Sequence, residues 1–260
     1  MYVDSHIHLA DEAYKGRVDR IVEEARRAGV KIIVANSEDL ETSLRTLELA
    51  EAYPPTVLPA LGVHPWCACE AEDSEVGEVS NLILKHGGRL AAVGEVGLDL
   101  AYARGKQEAW DRQKKVFSLM LETAERVGLP VIAHSRRSAG EVLEVALTYR
   151  VKMVFHWFSG EIQVLRRILD EGFYITVGPS IHYSKHIQRV AAEAPLTSIL
   201  TETDGPVRYR GPFESLETTP TLIPMVVEKL AEVKGLKPDE VALQILKNCE
   251  KVFPAVQSLE

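Results

Sequence analysis

"YVDSHIHLA", residues 2–10, begins like a short buried strand and carries two histidines one residue apart. Side chains two apart on a strand point the same way, so Asp4, His6 and His8 are expected to form one polar row. A lone buried histidine is usually a hydrogen-bonded core residue. Two in register behind a carboxylate also fit a metal site. The stretch admits both readings, and the rest of the chain has to decide.

Seven more strand-like runs follow it: "VKIIVAN", "TVLPALGVH", "RLAAVGEVGLDL", "LPVIAHS", "VKMVFHWF", "FYITVG" and "TSILTETD". Amphipathic segments such as "VDRIVEEARRAG" and "KQEAWDRQKKVFSLMLETAERVG" separate them. Gly29, Gly128 and Gly172 stand where a left-handed helix cap belongs, just before the next strand. Eight strands, each followed by a helical segment, define an α/β chain folded as a single (β/α)8 TIM barrel. "TLIPMVVEKLAEVKG" and "PDEVALQILKNCEKVF" close the chain, the latter as an extra C-terminal helix that starts at Pro238. An open doubly wound sheet would call for a Gly-rich phosphate turn after strand one, and none is present. With no linker, repeat or low-complexity segment, residues 1–260 are expected to form a single barrel domain.

At 46% hydrophobic and 26% charged, the chain has an ordinary globular composition and can bury a large core. No apolar run reaches membrane-spanning length, and the immediate strand leaves no room for a signal peptide. Three cysteines, Cys67, Cys69 and Cys249, fit a reducing compartment better than a disulfide framework, so the expected location is cytoplasmic. The formal net charge of −8 counts against a broad basic groove for nucleic acid.

Catalytic groups in a barrel sit at the C-terminal strand ends. There the sequence places His6 and His8 (strand one), His64 (three), Glu95 (four), His134 (five), His156 (six), and Glu202 with Asp204 (eight). Polar groups gathered at one buried rim require partners. Imidazoles and carboxylates without a thiolate suit Zn, Mn, Fe, Co or Ni better than a lone Mg or Ca. Six protein ligands are too many for one open catalytic ion and suit two, about 3.5–4 Å apart. Glu95 is the natural bridge, because strand four stands midway between strand one and strands five and six. No lysine occupies that strand, which excludes a carbamylated-lysine bridge.

"VDSHIHL", "GVHPW", "VGEVGLDL", "IAHSRRS", "VFHWFSG", "TETDGP" and "LKNCEKVF" occur in this order over nearly the whole chain. In them the chain resembles the TatD-related metal-dependent deoxyribonucleases, within the wider amidohydrolase-like barrels. The resemblance implies a two-metal barrel that cleaves phosphodiester bonds, often from the 3′ end of DNA. It further implies that His6 and His8 hold the first metal, Glu95 bridges, and His134 and His156 hold the second. Asp204 would be a first-metal ligand that orients the attacking water, and His64 would lie on the substrate side. Three departures stand out: Trp66 in "GVHPW", Gly205 in place of a common alanine, and the helical insert "CACEAEDSEVGEV".

The expected activity is therefore divalent-metal-dependent hydrolysis of DNA as a 3′–5′ exonuclease preferring single-stranded or frayed ends, through a water activated by two metals. The ions would be Zn, Mn, Co, Ni or Mg, with Glu95 and Asp204 as the catalytic residues. Asp4 and Glu202 lie one step deeper and would accept imidazole N–H bonds or fill polar space. Arg136 and Arg137 would bind substrate within a basic rim that also draws on Arg104, Lys106, Lys185, Arg189, Arg208 and Arg210, while Trp66, Trp157 and Tyr183 could stack on unpaired bases. His182 and His186 are weaker substrate contacts, and Cys67 and Cys69 lack the second pair that a structural zinc needs. No membrane and no obligatory protein partner is expected. The rivals are a metal-dependent deacylase or amidohydrolase, including hydrolysis of an aminoacyl-tRNA ester, a histidinol-phosphatase-like barrel, and a non-catalytic binding protein.

Overall fold

Runs rich in Val, Ile and Ala form the strands of the structure, a computed structural model that describes residues 1–257. The order is β1 (Tyr2–Ile7), α1 (Val18–Arg27), β2 (Val30–Asn36), α2 (Leu40–Ala52), β3 (Val57–Leu61), α3 (Pro65–Ala68), α4 (Asp73–His86) and β4 (Ala92–Gly97). Next come α5 (Leu100–Ala103), α6 (Gln107–Val127), β5 (Val131–His134), α7 (Ala139–Ala146), β6 (Met153–Phe155), α8 (Ile162–Asp170) and β7 (Tyr174–Val177). The chain continues through α9 (Lys185–Glu193), β8 (Ile199–Thr201), α10 (Ile223–Lys234), α11 (Pro238–Val252) and α12 (Pro254–Gln257). Each strand from β1 to β8 pairs in parallel with the next in sequence order, the topology of a (β/α)8 barrel.

The helices pack on the strands through narrow apolar stripes. On α6 the buried side chains are Val116, Phe117, Met120, Leu121 and Ala124, the spacing of one helix face. Gly29, Gly128 and Gly172 adopt φ of 85°, 70° and 71°, as their positions after helices predicted. The insert after β3 is helical, as expected, and forms α3 and α4.

Side chains and loop ends tie the seam between β8 and β1. Ser5 Oγ donates to the Thr201 carbonyl (2.7 Å) and Thr201 Oγ1 to the Val3 carbonyl (2.7 Å). Beyond the strands, Asp204 N–H donates to the His6 carbonyl (2.9 Å) and His8 N–H to the Gly205 carbonyl (2.8 Å). Asp4, expected one step deeper than the ligands, joins this seam. Its carboxylate accepts from Thr203 N–H (3.0 Å), the Thr203 hydroxyl and His6 N–H (3.3 Å). The β1–β2 register shifts between Asp4 and Ile7. Burial pushes the Asp4 carboxyl up to about 8, against the lowering effect of the Thr203 and His6 hydrogen bonds.

The "LKNCEKVF" segment lies on α11 and anchors it to the barrel. Asn248, fully buried, donates from Nδ2 to the carbonyls of Leu196 (2.7 Å) and Ile199 (2.7 Å) at the entry to β8. Among the described residues no helix is long and apolar enough to cross a membrane. Asn248→Leu keeps the volume but strands two buried carbonyls, so it should destabilise the fold by about 1–3 kcal/mol. Urea unfolding measures this; a stability within 0.5 kcal/mol (roughly the scatter of neutral surface changes) would mean that apolar packing alone holds α11.

Candidate active site

The C-terminal ends of the strands bring the expected residues to one place. Glu95, 1% exposed, lies on β4 where the ladder to β5 shifts register between Val93 and Val96. Gly97 ends that strand at φ 142°, and a Cβ there would collide with the His134 carbonyl oxygen. Only glycine permits this approach of β4 to β5, and the approach sets Glu95 against His134.

Each oxygen of Glu95 meets its own set of groups. His6 Nε2 (3.3 Å) and His8 Nε2 (3.1 Å) face Oε2. Asp204 Oδ1 lies 3.3 Å and 3.6 Å from the same two nitrogens. His134 Nδ1 (2.7 Å), His156 Nε2 (2.8 Å) and His64 Nε2 (3.5 Å) face Oε1. The His6 and His156 rings stack with centroids 4.0 Å apart.

Carboxylates stand beside two of the rings. His134 Nε2 faces Asp99 Oδ2 at 3.1 Å, and His156 Nδ1 lies 3.5 Å from Glu202 Oε2. A proton on His134 Nε2 would leave its Nδ1 lone pair aimed at Glu95, and two acceptors 2.7 Å apart need a shared proton or a cation between them. The donor set of imidazoles and carboxylates therefore fits divalent metal, and the groups His6–His8–Glu95 and His64–Glu95–His134 each converge closely enough to hold an ion.

By proximity alone His64 belongs to the second of these groups, but its hydrogen bonding argues otherwise. His64 caps α3, and its Nδ1 accepts from Trp66 N–H at 3.2 Å. Burial pushes the ring's pKa down to about 3 despite the Glu95 charge, so it is neutral. The remaining proton then sits on Nε2, which faces Glu95 Oε1 (3.5 Å) and His134 Nδ1 (3.3 Å).

Electrostatics follow from burial and pairing. Desolvation alone would raise Glu95, but the charges of His156 and His6, together with the His134 hydrogen bond, hold it well below the usual carboxylate range. Asp204 is likewise buried yet lowered, by contact with His6 and His8. Burial works against the charged forms of His8 and His156; Asp204 and Glu95 for the first, and Glu95 and Glu202 for the second, raise both well above the ordinary value.

Three non-glycine residues have positive φ: Asp204 (52°), Trp157 (39°) and Arg137 (57°), all just past the ends of β8, β6 and β5. Strain of this kind costs of order 1–3 kcal/mol per residue and persists where the surroundings hold it. At Trp157 the holding groups are Thr176 Oγ1 (2.7 Å) and Glu202 Oε1 (2.9 Å), both accepting its N–H.

The sequence reading missed Asp99. This buried carboxylate meets His134 Nε2, accepts from Trp66 Nε1 (2.7 Å) and Tyr102 N–H (2.9 Å), and pairs with Arg136 Nε (3.1 Å). Burial would raise it, but the hydrogen bonds from His134, Tyr102 and Trp66 hold it well below the usual range. Its only local signal, an Asp at a helix start in "GLDL", is that of an ordinary N-cap.

Asp11 and Glu38 are also unforeseen, as walls of the cleft that opens onto the cluster. This cleft encloses about 720 Å³, and Arg136 is the one Arg or Lys side chain among its described lining. Arg137 and the other cations of the expected rim lie outside that lining, and Arg189 borders a separate pocket beside Arg166 and His186. His182 and His186 face the carbonyls of Met225 (3.0 Å) and Gly160 (3.0 Å). Cys67 and Cys69 are half-buried free thiols outside the metal-competent groups, and burial pushes Cys67 up to about 12.

Comparison with known proteins places this arrangement. A family model described as TatD related DNase matches residues 3–254. The chain belongs to this family. A metal-dependent hydrolase of uncharacterized activity from Methanocaldococcus jannaschii is 31% identical over 252 residues, covering 97% of this chain and 96% of that protein. A human deoxyribonuclease, TATDN3, is 32% identical over 265 residues, covering 99% and 96%. The crystal structure of YjjV, a TatD homolog from Escherichia coli, superposes with a TM-score of 0.88 at 31% identity, covering 97% and 98%. The chain is a TatD-family metal-dependent hydrolase.

One departure from the family pattern now has a physical reason. Beside Gly205, the place where alanine is common, the Tyr14 hydroxyl bonds to the Thr218 carbonyl. A Cβ at 205 would collide with that hydroxyl and lie 2.6 Å from the carbonyl oxygen.

Asp99 fixes the His134 ring, so Asp99→Asn should weaken retention of the divalent ion held with His134 by roughly 10–100-fold. Competition against a fluorescent chelator reads this directly. Unchanged affinity would mean that packing alone orients His134.

Proposed function

We propose that the chain is a deoxyribonuclease that removes nucleotides from single-stranded 3′ ends, using two divalent ions (Zn, Mn, Co, Ni or Mg) bridged by Glu95. The observation that carries the reading is the division of Glu95 between two donor sets, one per carboxylate oxygen. His6, His8 and Asp204 would hold one ion, and His134 and His156 the other. When bound, the ions supply Lewis acidity and stabilise the extra negative charge of an in-line phosphoryl displacement.

The residues around them divide the remaining work. Asp204, kept ionised by its imidazole neighbours, accepts a proton from the attacking water. The P–O3′ bond breaks as the new P–O bond forms. His64 Nε2–H donates to a phosphoryl oxygen, and Arg136, held by Asp99, pairs with the phosphate. Glu202 accepts from Trp157 N–H and lies 3.5 Å from His156 Nδ1, so it holds the strained loop beside that ring.

Size and charge support an end-directed DNase. A cleft of about 720 Å³ has room for one or two nucleotides and not for a duplex. Four carboxylates line or floor it (Asp11, Glu38, Glu95 and Asp204), against Arg136. Two divalent ions offset those four charges and leave Arg136 over, which suits one scissile phosphodiester better than a tracked backbone. The family description and the name of the human relative support DNA as the polymer. The free cysteines support a cytoplasmic setting. A second reading, hydrolysis of an aminoacyl ester, draws on the acidic wall of Asp11 and Glu38, which suits a protonated amine.

Metal-loaded protein should degrade single-stranded DNA from the 3′ end faster than duplex, and a 3′ block should slow it. Asp204→Asn should keep the fold and lower turnover by ~10²–10⁴-fold. Product ladders and kcat for the pair test both. Rapid cleavage of an aminoacyl ester with intact DNA would transfer the assignment to the second reading.

A further inference from the structure

Three consecutive backbone N–H groups follow β4, and they point in alternate directions. Leu98 N–H donates to the His134 carbonyl (3.1 Å) and Leu100 N–H to the Arg136 carbonyl (3.1 Å), which stitches this turn to the end of β5. Asp99 N–H, between them, faces the other way, and the β3–β4 pairs have already ended at Val93. A side chain from α6 meets it there: Gln113 Oε1, fully buried, accepts this N–H at 2.9 Å. A buried amide has a donor to place as well as an acceptor. Gln113 Nε2 faces Cys69 Sγ (3.7 Å) just past α3, and that thiol donates to the Pro65 carbonyl (3.3 Å). One amide therefore grips both partners of the Trp66–Asp99 bond: the Asp99 main chain by its oxygen, and the turn that carries Trp66 by its nitrogen.

We propose that Gln113 is a positioning residue, holding the Asp99 carboxylate against His134, Trp66 and Arg136 from a helix outside the cleft lining. Where it concerns metal, this rests on the two-ion reading, and it names the residue that decides how firmly the His134 side is held. Asp99 carries its carboxylate wherever its main chain goes. Without Gln113 Oε1 a buried N–H would lose its acceptor at the full cost of desolvation, so the turn has to shift until another acceptor or water reaches it. Such a shift draws Oδ2 away from His134 Nε2 (3.1 Å) and Trp66 Nε1 (2.7 Å) together. His6 and Asp204 are held by the β1–β8 seam and share none of these bonds, so the effect is one-sided.

Gln113→Met keeps the length of the side chain and removes the acceptor. In metal-free protein the Trp66 indole N–H resonance, assigned by its loss in Trp66→Phe, should move upfield as the bond to Asp99 opens. In Zn²⁺ titrations against a chelator, with the two steps assigned by His134→Ala, the ion beside His134 should be held about 10-fold less tightly. The ion beside His6 and His8 should change by no more than roughly twofold. Gln113→Glu, which keeps an oxygen in the same place, should return both readouts most of the way. Asn248→Leu, destabilising but remote, should move neither. An unchanged Trp66 resonance in Gln113→Met, or equal loss of both ions, would overturn the proposal, because packing alone would then hold the turn. If Gln113→Met does not fold, hydrogen exchange in wild type decides: Asp99 N–H should exchange as slowly as the N–H groups of β4, and exchange at the rate of an open loop would overturn it. Wild type that binds no ion beside His134 would remove the two-ion reading, and the Trp66 resonance alone would then decide.

Discussion

Glu95 is ionised at 1% exposure, and it can remain so because five imidazole rings surround it within 3.5 Å. A bare buried carboxylate would be neutralised by desolvation. Several features elsewhere in the barrel exist to keep those rings in place. Gly97 allows β5 to approach, the β1–β8 seam fixes His6 beside Asp204, and Asp99 holds the His134 ring at its Nε2. The strain at Asp204 and Trp157 is local backbone distortion, and hydrogen bonds to their own N–H groups hold both residues.

The same constraint shapes the cleft. Glu95, Asp204 and the nearby Asp11 and Glu38 make the cleft acidic, with Arg136 the one Arg or Lys among its described lining. On the proposed nuclease reading, bound cations and Arg136 would supply a local, short-ranged attraction that reconciles a net charge of −8 with an anionic substrate. Asp99 links the two functions, since one carboxylate orients His134, anchors Trp66 and positions Arg136.

Much of this was legible in the sequence because strand ends are marked by chemistry. "HIH", "GVH", "GEVG", "AHS", "FHW" and "TETD" each close an apolar run, and a barrel turns such ends to one side. Asp4, read as one step deeper than the ligands, fills polar space there by accepting from Thr203 and the His6 N–H and not from an imidazole. Asp99 escaped because its local context is that of a helix cap, while its partners His134 and Trp66 lie more than thirty residues away on either side. Counting Arg and Lys in loops gives charge without direction, and of the cations named only Arg136 lines the cleft. The protonation of His64 follows from one backbone hydrogen bond, which no spacing rule reveals.

The central claim is that Glu95 divides its two oxygens between two ions while His64 stays outside the coordination sphere. Anomalous diffraction from crystals equilibrated with Mn²⁺ tests this most directly. The account predicts two anomalous peaks about 3.5–4 Å apart, one beside His6, His8 and Asp204 and one beside His134 and His156, with Glu95 between them and His64 Nε2 bonded to neither. A single peak at saturating metal, or a peak within coordination distance of His64, would contradict it.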